Sequence, residues 1–86
     1  PMMIELSDDE QQILVTSVPL PDTLRSVVDS ARQSGGKWLL EISEDDADTI
    51  RDLCGDRLVE VGFDERYEPN KAGLLLEGLV DKFFIG

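Results

Sequence analysis

The sequence predicts an α+β fold, mostly helical, in which two β-αα units form one small domain around a two-stranded sheet. The main observation is a repeat: the segment Ile4–Glu10 returns as Leu40–Asp46. Each copy has an apolar-acid-apolar triplet, the period of a half-buried strand, and then a serine with an acid three residues later, which resembles a helix capping box. The length of 86 residues suits one domain. We therefore expect a single domain over 1–86, with repeat units at about 2–34 and 37–85.

The first unit begins with a strand over Met2–Leu6, and Ser7 is expected to cap a helix with an acidic first turn. The body of that helix is ambiguous, because Ile13–Val18 is rich in β-branched residues and suits a hairpin strand as well. The repeat favours a helix there.

Two prolines divide the first helix from a second one. Neither Pro19 nor Pro21 can continue a helix, so the chain turns at this point. Asp22 is in position to cap a second helix that runs to about Gln33. Gly35-Gly36 would then end that helix.

The second unit begins with a strand over Lys37–Ile42, whose apolar residues on both faces favour a central or doubly covered position. Ser43 caps the longest helix, and Gly62 is expected to end it in a left-handed conformation. Apolar residues recur along this helix at steps of three or four: Ile50, Leu53, Cys54, Leu58 and Val61.

The final helix follows a loop over residues 63–69, with Asn70 as its cap. Its apolar side is wide and is formed by Leu75, Leu76, Leu79, Val80, Phe83 and Phe84. Leu74 points nearly opposite to that side and is expected to be exposed. Phe84 either completes the core or joins Leu74 in a self-association surface, and the open edges of a two-stranded sheet would also favour a homodimer.

The C-terminal part of the chain carries two recognisable stretches, Gly62–Tyr67 and Gly73–Phe83. Together they resemble the end of small acidic bacterial proteins of uncharacterised activity. The resemblance covers about the last third of the chain and implies a bacterial origin. It implies no catalytic residue and no cofactor.

The charge of the chain limits its partners and its location. Asp and Glu number 19 against 8 Lys and Arg, for a net charge of −11. Phosphates and anionic lipids are repelled by such a chain, so we expect no nucleic acid and no membrane as partner. The lone Cys54 forms no internal disulfide, and we find neither a membrane-length apolar run nor a signal peptide. These features predict a cytoplasmic protein.

The chain offers little material for catalysis. It has no histidine, the commonest general base and metal ligand. Cys54 falls on the apolar side of its helix, where a thiol acts as a small hydrophobe. Two acid clusters, Asp45/Asp46/Asp48 and Asp64/Glu65/Glu68, lack the ligand spacing of the helix-loop-helix calcium motif. We therefore predict a protein that is not an enzyme and has no metal site and no cofactor.

One enzymatic alternative stays open at the N-terminus. An N-terminal Pro1 is a secondary amine that can act as a base, and in this one respect the chain resembles the tautomerases. A residue left over from expression, with Met2 or Met3 as the natural start, is the simpler interpretation. The alternative is thus a small enzyme that uses Pro1 or a carboxylate metal site.

The acids of the longest helix lie on one side of it. Five of them recur at steps of three or four, which places them opposite the apolar side: Asp45, Asp48, Asp52, Asp56 and Glu60. One interpretation is a solvated face that maintains solubility. The functional hypothesis is a docking surface for a basic protein, in the manner of immunity proteins or antitoxins that cover the nucleic-acid site of a nuclease.

We prefer this non-catalytic interaction module. The alternative of another kind is a homo-oligomeric subunit of a larger assembly.

Overall fold

The computed structural model describes residues 2–63 and 65–84 and shows a small α+β domain that is mostly helical. Within this part of the chain a three-stranded antiparallel sheet is accompanied by four helices. The elements in chain order are β1 (Met2–Ser7), α1 (Asp8–Thr16), α2 (Asp22–Asp29), β2 (Arg32–Ser34), β3 (Lys37–Ile42), α3 (Glu44–Val61) and α4 (Lys71–Lys82).

The sheet has one strand more than the sequence predicts. Its order is β1-β3-β2, so β3 is central, as expected, and β2 forms an additional edge. The predicted helix to Gln33 is wrong, because α2 ends at Asp29. Gly35 and Gly36 have φ values of 58° and 79°, the pattern of a two-residue type I′ turn, which matches the twist of the flanking strands. The glycines therefore reverse the chain into a hairpin and do not end a helix.

The repeat is confirmed as strand, cap and helix. Ser7 and Glu10 form a complete capping box: the Glu10 N–H donates to Ser7 Oγ at 3.1 Å, and the Ser7 N–H donates to Glu10 Oε1 at 2.9 Å. Ser43 accepts from the Asp46 N–H at 3.2 Å. The two copies also meet directly, since Ile4 and Leu40 are register partners between β1 and β3. The antiparallel pairing relates the two strand copies by a local twofold axis. The first unit differs from the second because it also contains strand β2.

The β-branched segment of the first unit is helical as far as Thr16, and Leu14 within it is fully buried. The predicted cap of the next helix is wrong: Pro21 occupies the N-cap position, Asp22 is the first helical residue, and no side chain caps the helix. Because Pro21 has an extended backbone, it can precede a helix without a side-chain hydrogen bond.

The junction between α3 and α4 is closed by backbone contact. Gly62 ends α3 with φ −81°, so the predicted left-handed stop is wrong. A Cβ at Gly62 would lie 2.5 Å from the Leu58 carbonyl oxygen and 3.1 Å from the Gly73 Cα, so close approach is the reason for glycine there. The predicted cap at Asn70 is confirmed, since its side chain accepts from the Gly73 N–H at 2.8 Å. Asn70 also donates from Nδ2 to the Val61 carbonyl at 2.8 Å.

The core lies between one face of the sheet and the helices. Alternate residues of β1 and β3 are buried, among them Leu6 and Leu40, while Glu41 faces outward. Helix α4 packs against both α3 and α1 and buries Leu76, Leu79 and Phe83 completely. None of the helices in the described ranges combines the length and the hydropathy that crossing a membrane requires.

Candidate interaction surface on the third helix

The predicted acidic residues of α3 share one exposed side of the helix. We call them the acidic face, and all five are exposed: Asp45, Asp48, Asp52, Asp56 and Glu60. The orientation follows from the opposite side, where Ala47, Ile50 and Cys54 are fully buried at steps of three and four. The core thus fixes the direction in which the carboxylates point.

Only part of this charge is neutralised by neighbours. Asp52 lies 3.6 Å from the Arg51 guanidinium, and Glu60 lies 3.3 Å from that of Arg57. None of the ion pairs found within 2–63 and 65–84 involves the other members of the face, Asp45, Asp48 and Asp56. Exposed pairs of this kind contribute only about 0–1 kcal/mol. Five carboxylates against two guanidinium groups leave the face with a net negative charge.

The two arginines of α3 are also engaged with other elements. Arg57 Nε donates to Ser17 Oγ at 3.2 Å, which ties α3 to the residue that ends α1. The Arg51 guanidinium lies 5.6 Å from the centre of the Phe84 ring, within the range of a cation–π contact. Each arginine is therefore shared between one carboxylate of the acidic face and a contact outside α3.

The described residues contain no group of three or more carboxylates or thiols arranged to hold a metal ion. One predicted cluster includes Asp64, which lies outside the described residues, as does Pro1. The arrangement of Cys54 is described: its side chain is fully buried, and desolvation raises the pKa of the thiol to about 12. At neutral pH it is therefore a protonated core residue without nucleophilic character.

Several large apolar side chains are exposed between the last turn of α3 and the first turn of α4, and most of them were not predicted from the sequence. Val59 is 77% exposed and Tyr67 is 87% exposed, and Phe63 is also exposed. Leu74 is exposed, as predicted. Val59 could have been found from its spacing, because it lies off the steps that connect Ile50, Cys54 and Val61.

Phe84, for which two alternatives were open, is 61% exposed and does not complete the core. It contacts the Arg51 guanidinium on α3 instead. Leu74 lies in the first turn of α4, whereas Phe84 lies two residues beyond its last residue. The two predicted self-association residues therefore mark opposite ends of a helix about 18 Å long.

A concave feature lies away from α3, on the open face of the sheet. It is a shallow cavity of about 320 Å³, lined by Met3, Ser30, Arg32, Leu39 and Glu41. It brings together residues of all three strands but none of the residues predicted to form a site. A guanidinium and a carboxylate share its wall, so it has no single preferred charge in a ligand.

The described chain thus exposes five carboxylates along α3 and four large apolar side chains between the last turn of α3 and the first turn of α4. The sequence matches no protein-family model, no curated protein and no solved structure.

Proposed function

We propose that the protein is a non-catalytic interaction module whose acidic face binds a basic protein. The observation that carries this proposal is the exposure of five carboxylates on one side of a single helix. From Asp45 to Glu60 they extend over about 22 Å of helix axis. Because the helix is anchored in the core by Ala47, Ile50 and Cys54, the charges are held in place before a partner arrives.

Electrostatics define the partner's chemistry. A row of carboxylates attracts a surface rich in Lys and Arg, accelerates encounter and disfavours acidic competitors. Basic surfaces of this kind are typical of proteins that bind nucleic acids. An inhibitor that covers such a surface, like an immunity protein or an antitoxin, is the specific role that we propose within this class.

The composition supports a binding role over catalysis. The chain has no histidine. Its one thiol is buried and protonated. A module that binds through fixed charges needs neither a nucleophile nor a general base.

Charge reversal on the acidic face tests the proposal. The triple variant Asp48→Lys/Asp52→Lys/Asp56→Lys is compared with a control of equal charge change elsewhere, Asp9→Lys/Asp22→Lys/Asp29→Lys. Each tagged protein is used to capture partners from the lysate of its own cells, after circular dichroism has shown that it is folded. We expect one stoichiometric basic partner with the wild type and the control, released at high salt and absent with the α3 triple variant. Equal capture by both variants would contradict the proposal.

A homo-oligomeric subunit is the second candidate, and the exposure of Leu74 and Phe84 favours it. Light scattering during gel filtration of the wild type and of Leu74→Ser and Phe84→Ser distinguishes the two functions. A dimer that dissociates in either variant supports the second candidate. A monomer at all concentrations excludes it.

A further inference from the structure

Exposed apolar side chains concentrate at the junction of α3 and α4. Of the six large apolar residues that are exposed in the described ranges, Met3 lies on the sheet and Phe84 follows α4. The other four lie within residues 59–74 and are here called the junction patch: Val59, Phe63, Tyr67 and Leu74.

The backbone brings these four residues to the same end of the molecule. Gly62 and Gly73 are in such close contact that neither has room for a Cβ. Val59 lies three residues before the first of these glycines, and Leu74 directly follows the second. An isolated antiparallel bridge between Phe63 and Pro69 closes the connecting loop, and the Asn70 N–H donates to the Gly62 carbonyl at 2.9 Å. The loop that carries Tyr67 is thereby held against the ends of both helices.

Tyr67 is presented at a conformational cost. Its φ of 61° is the one positive value among the non-glycine residues described. For a residue with a Cβ, left-handed backbone costs roughly 1–2 kcal/mol. Its side chain is 87% exposed, so no burial of the ring offsets this cost. Such an outlier motivates a functional hypothesis for the residue.

We infer that the junction patch is the apolar anchor of the docking surface, and that the partner reaches it with arginine side chains and neighbouring aliphatic groups. This inference rests on the proposed function. Aromatic side chains at the centre of an interface, with charged groups around them, contribute most of the affinity in many complexes. Arginine is the complementary residue, because its guanidinium stacks on aromatic rings and also pairs with carboxylates.

The charges around the patch decide between a basic partner and a second copy of this chain. Among the described residues 56–77 the carboxylates outnumber the cations: Asp56, Glu60, Glu65, Glu68 and Glu77 are exposed, against exposed Arg66 and Lys71 and half-buried Arg57. The last turn of α3 contains no basic residue. The negative end of the α3 dipole and the positive end of the α4 dipole both lie at this junction and oppose each other, so the side-chain charges decide the balance. A second copy would bring the same carboxylates to the contact, with −11 on each chain. A basic partner replaces this repulsion with attraction.

Two peptides of equal charge test the inference by nuclear magnetic resonance. One alternates arginine with leucine, and the other alternates lysine with serine; each is titrated into the 15N-labelled wild type, Tyr67→Ser and Tyr67→Phe. We expect the arginine-leucine peptide to shift the amides of Phe63, Tyr67 and Leu74 and to bind Tyr67→Ser about tenfold more weakly than the wild type. Tyr67→Phe, which keeps the ring, should bind like the wild type. The lysine-serine peptide should bind the acidic face alone and be insensitive to position 67.

Control variants distinguish failure of the apolar anchor from failure of the proposed function. Met3→Ser removes an exposed apolar side chain elsewhere and should leave both affinities unchanged. If both peptides bind the acidic face but Tyr67→Ser has no effect, the anchor is refuted and the proposed function stands. If Asp48→Lys/Asp52→Lys/Asp56→Lys binds both peptides with the affinity of the wild type, the proposed function itself fails. Dimerisation without peptide that Leu74→Ser abolishes would assign the patch to a second copy and overturn the inference.

Discussion

Lys82 Nζ lies 2.5 Å from Glu10 Oε1 and joins the last turn of α4 to the first turn of α1. The same ammonium group donates to the Glu5 carbonyl at 2.9 Å, on the edge strand β1. The Glu10 carboxylate is largely buried and also accepts from the Ser7 N–H. Gly78 leaves room for it, because a Cβ there would lie 3.3 Å from Glu10 Oε2. One ion pair thus connects the repeat's first cap, the sheet edge and the final helix.

Removing the cation should destabilise the fold. In Lys82→Met the buried carboxylate of Glu10 loses its partner, so we expect the free energy of unfolding to fall by about 1–3 kcal/mol. This is less than the loss of a partner costs in a fully buried ion pair, because Lys82 is partly exposed. Urea denaturation measures the change. The double variant Lys82→Met/Glu10→Gln should recover part of the loss. If Lys82→Met unfolds like the wild type, the ion pair does not stabilise the fold.

The same pair predicts a pH dependence. Burial raises the pKa of Glu10, but the hydrogen bond from Lys82 and the backbone hydrogen bond from Ser7 outweigh it and hold the pKa below its ordinary value. A carboxyl whose pKa is lower in the folded state stabilises the fold above its unfolded pKa, and this contribution disappears as the pH falls through the folded pKa. The stability difference between wild type and Glu10→Gln should therefore shrink on acidification, as measured by urea denaturation at several pH values. A difference that grows in acid would refute the assignment.

Gly55 in the middle of α3 is a site for stabilisation. A Cβ there would meet no atom within 4 Å, and its φ is not positive. Because glycine is a poor helix former, we expect Gly55→Ala to raise the free energy of unfolding by about 0.5–1 kcal/mol. Thermal unfolding followed by circular dichroism checks this. An unchanged or lower melting temperature would mean that the helix is not regular at this position.

Gly62 should respond in the opposite way. Its Cβ would contact the Leu58 carbonyl at 2.5 Å and crowd the Gly73 backbone. We expect Gly62→Ala to cost about 1–3 kcal/mol, because backbone atoms must move apart. The same thermal experiment applies, with Gly55→Ala, in the middle of the helix that Gly62 ends, as the matched control. If alanine is tolerated at Gly62, the close approach of α3 and α4 is not required for folding.

The parts of the fold that were predictable are those determined by local chemistry. The two serine caps and the flanking strands follow from residues close in sequence, and the buried steps of α3 fix the direction of the acidic face. Strand β2 was not predictable in this way, because Arg32–Ser34 has no strand preference and becomes a strand by pairing with β3. Gly35-Gly36 is ambiguous in sequence because two glycines suit a helix end and a type I′ turn equally.

The junction patch shows the other limit of sequence reasoning. Val59 is β-branched and apolar, which is typical of a core residue, and only its spacing on α3, off the buried steps, indicates that it is exposed. The positive φ of Tyr67 depends on how the loop is closed by Phe63, Pro69 and Asn70. No neighbouring residue in sequence indicates this backbone conformation of Tyr67.

The most direct test of a docking site on the acidic face is carbodiimide cross-linking of the protein in lysate of its own cells, with the linked peptides mapped by mass spectrometry. Carbodiimide joins carboxylates to lysines that are already in contact. We predict links from Asp45, Asp48, Asp52, Asp56 or Glu60 to the lysines of one basic protein, and their loss at high salt. Links spread evenly over the acids of all helices, or concentrated on α1 and α2, would contradict a docking site on the acidic face.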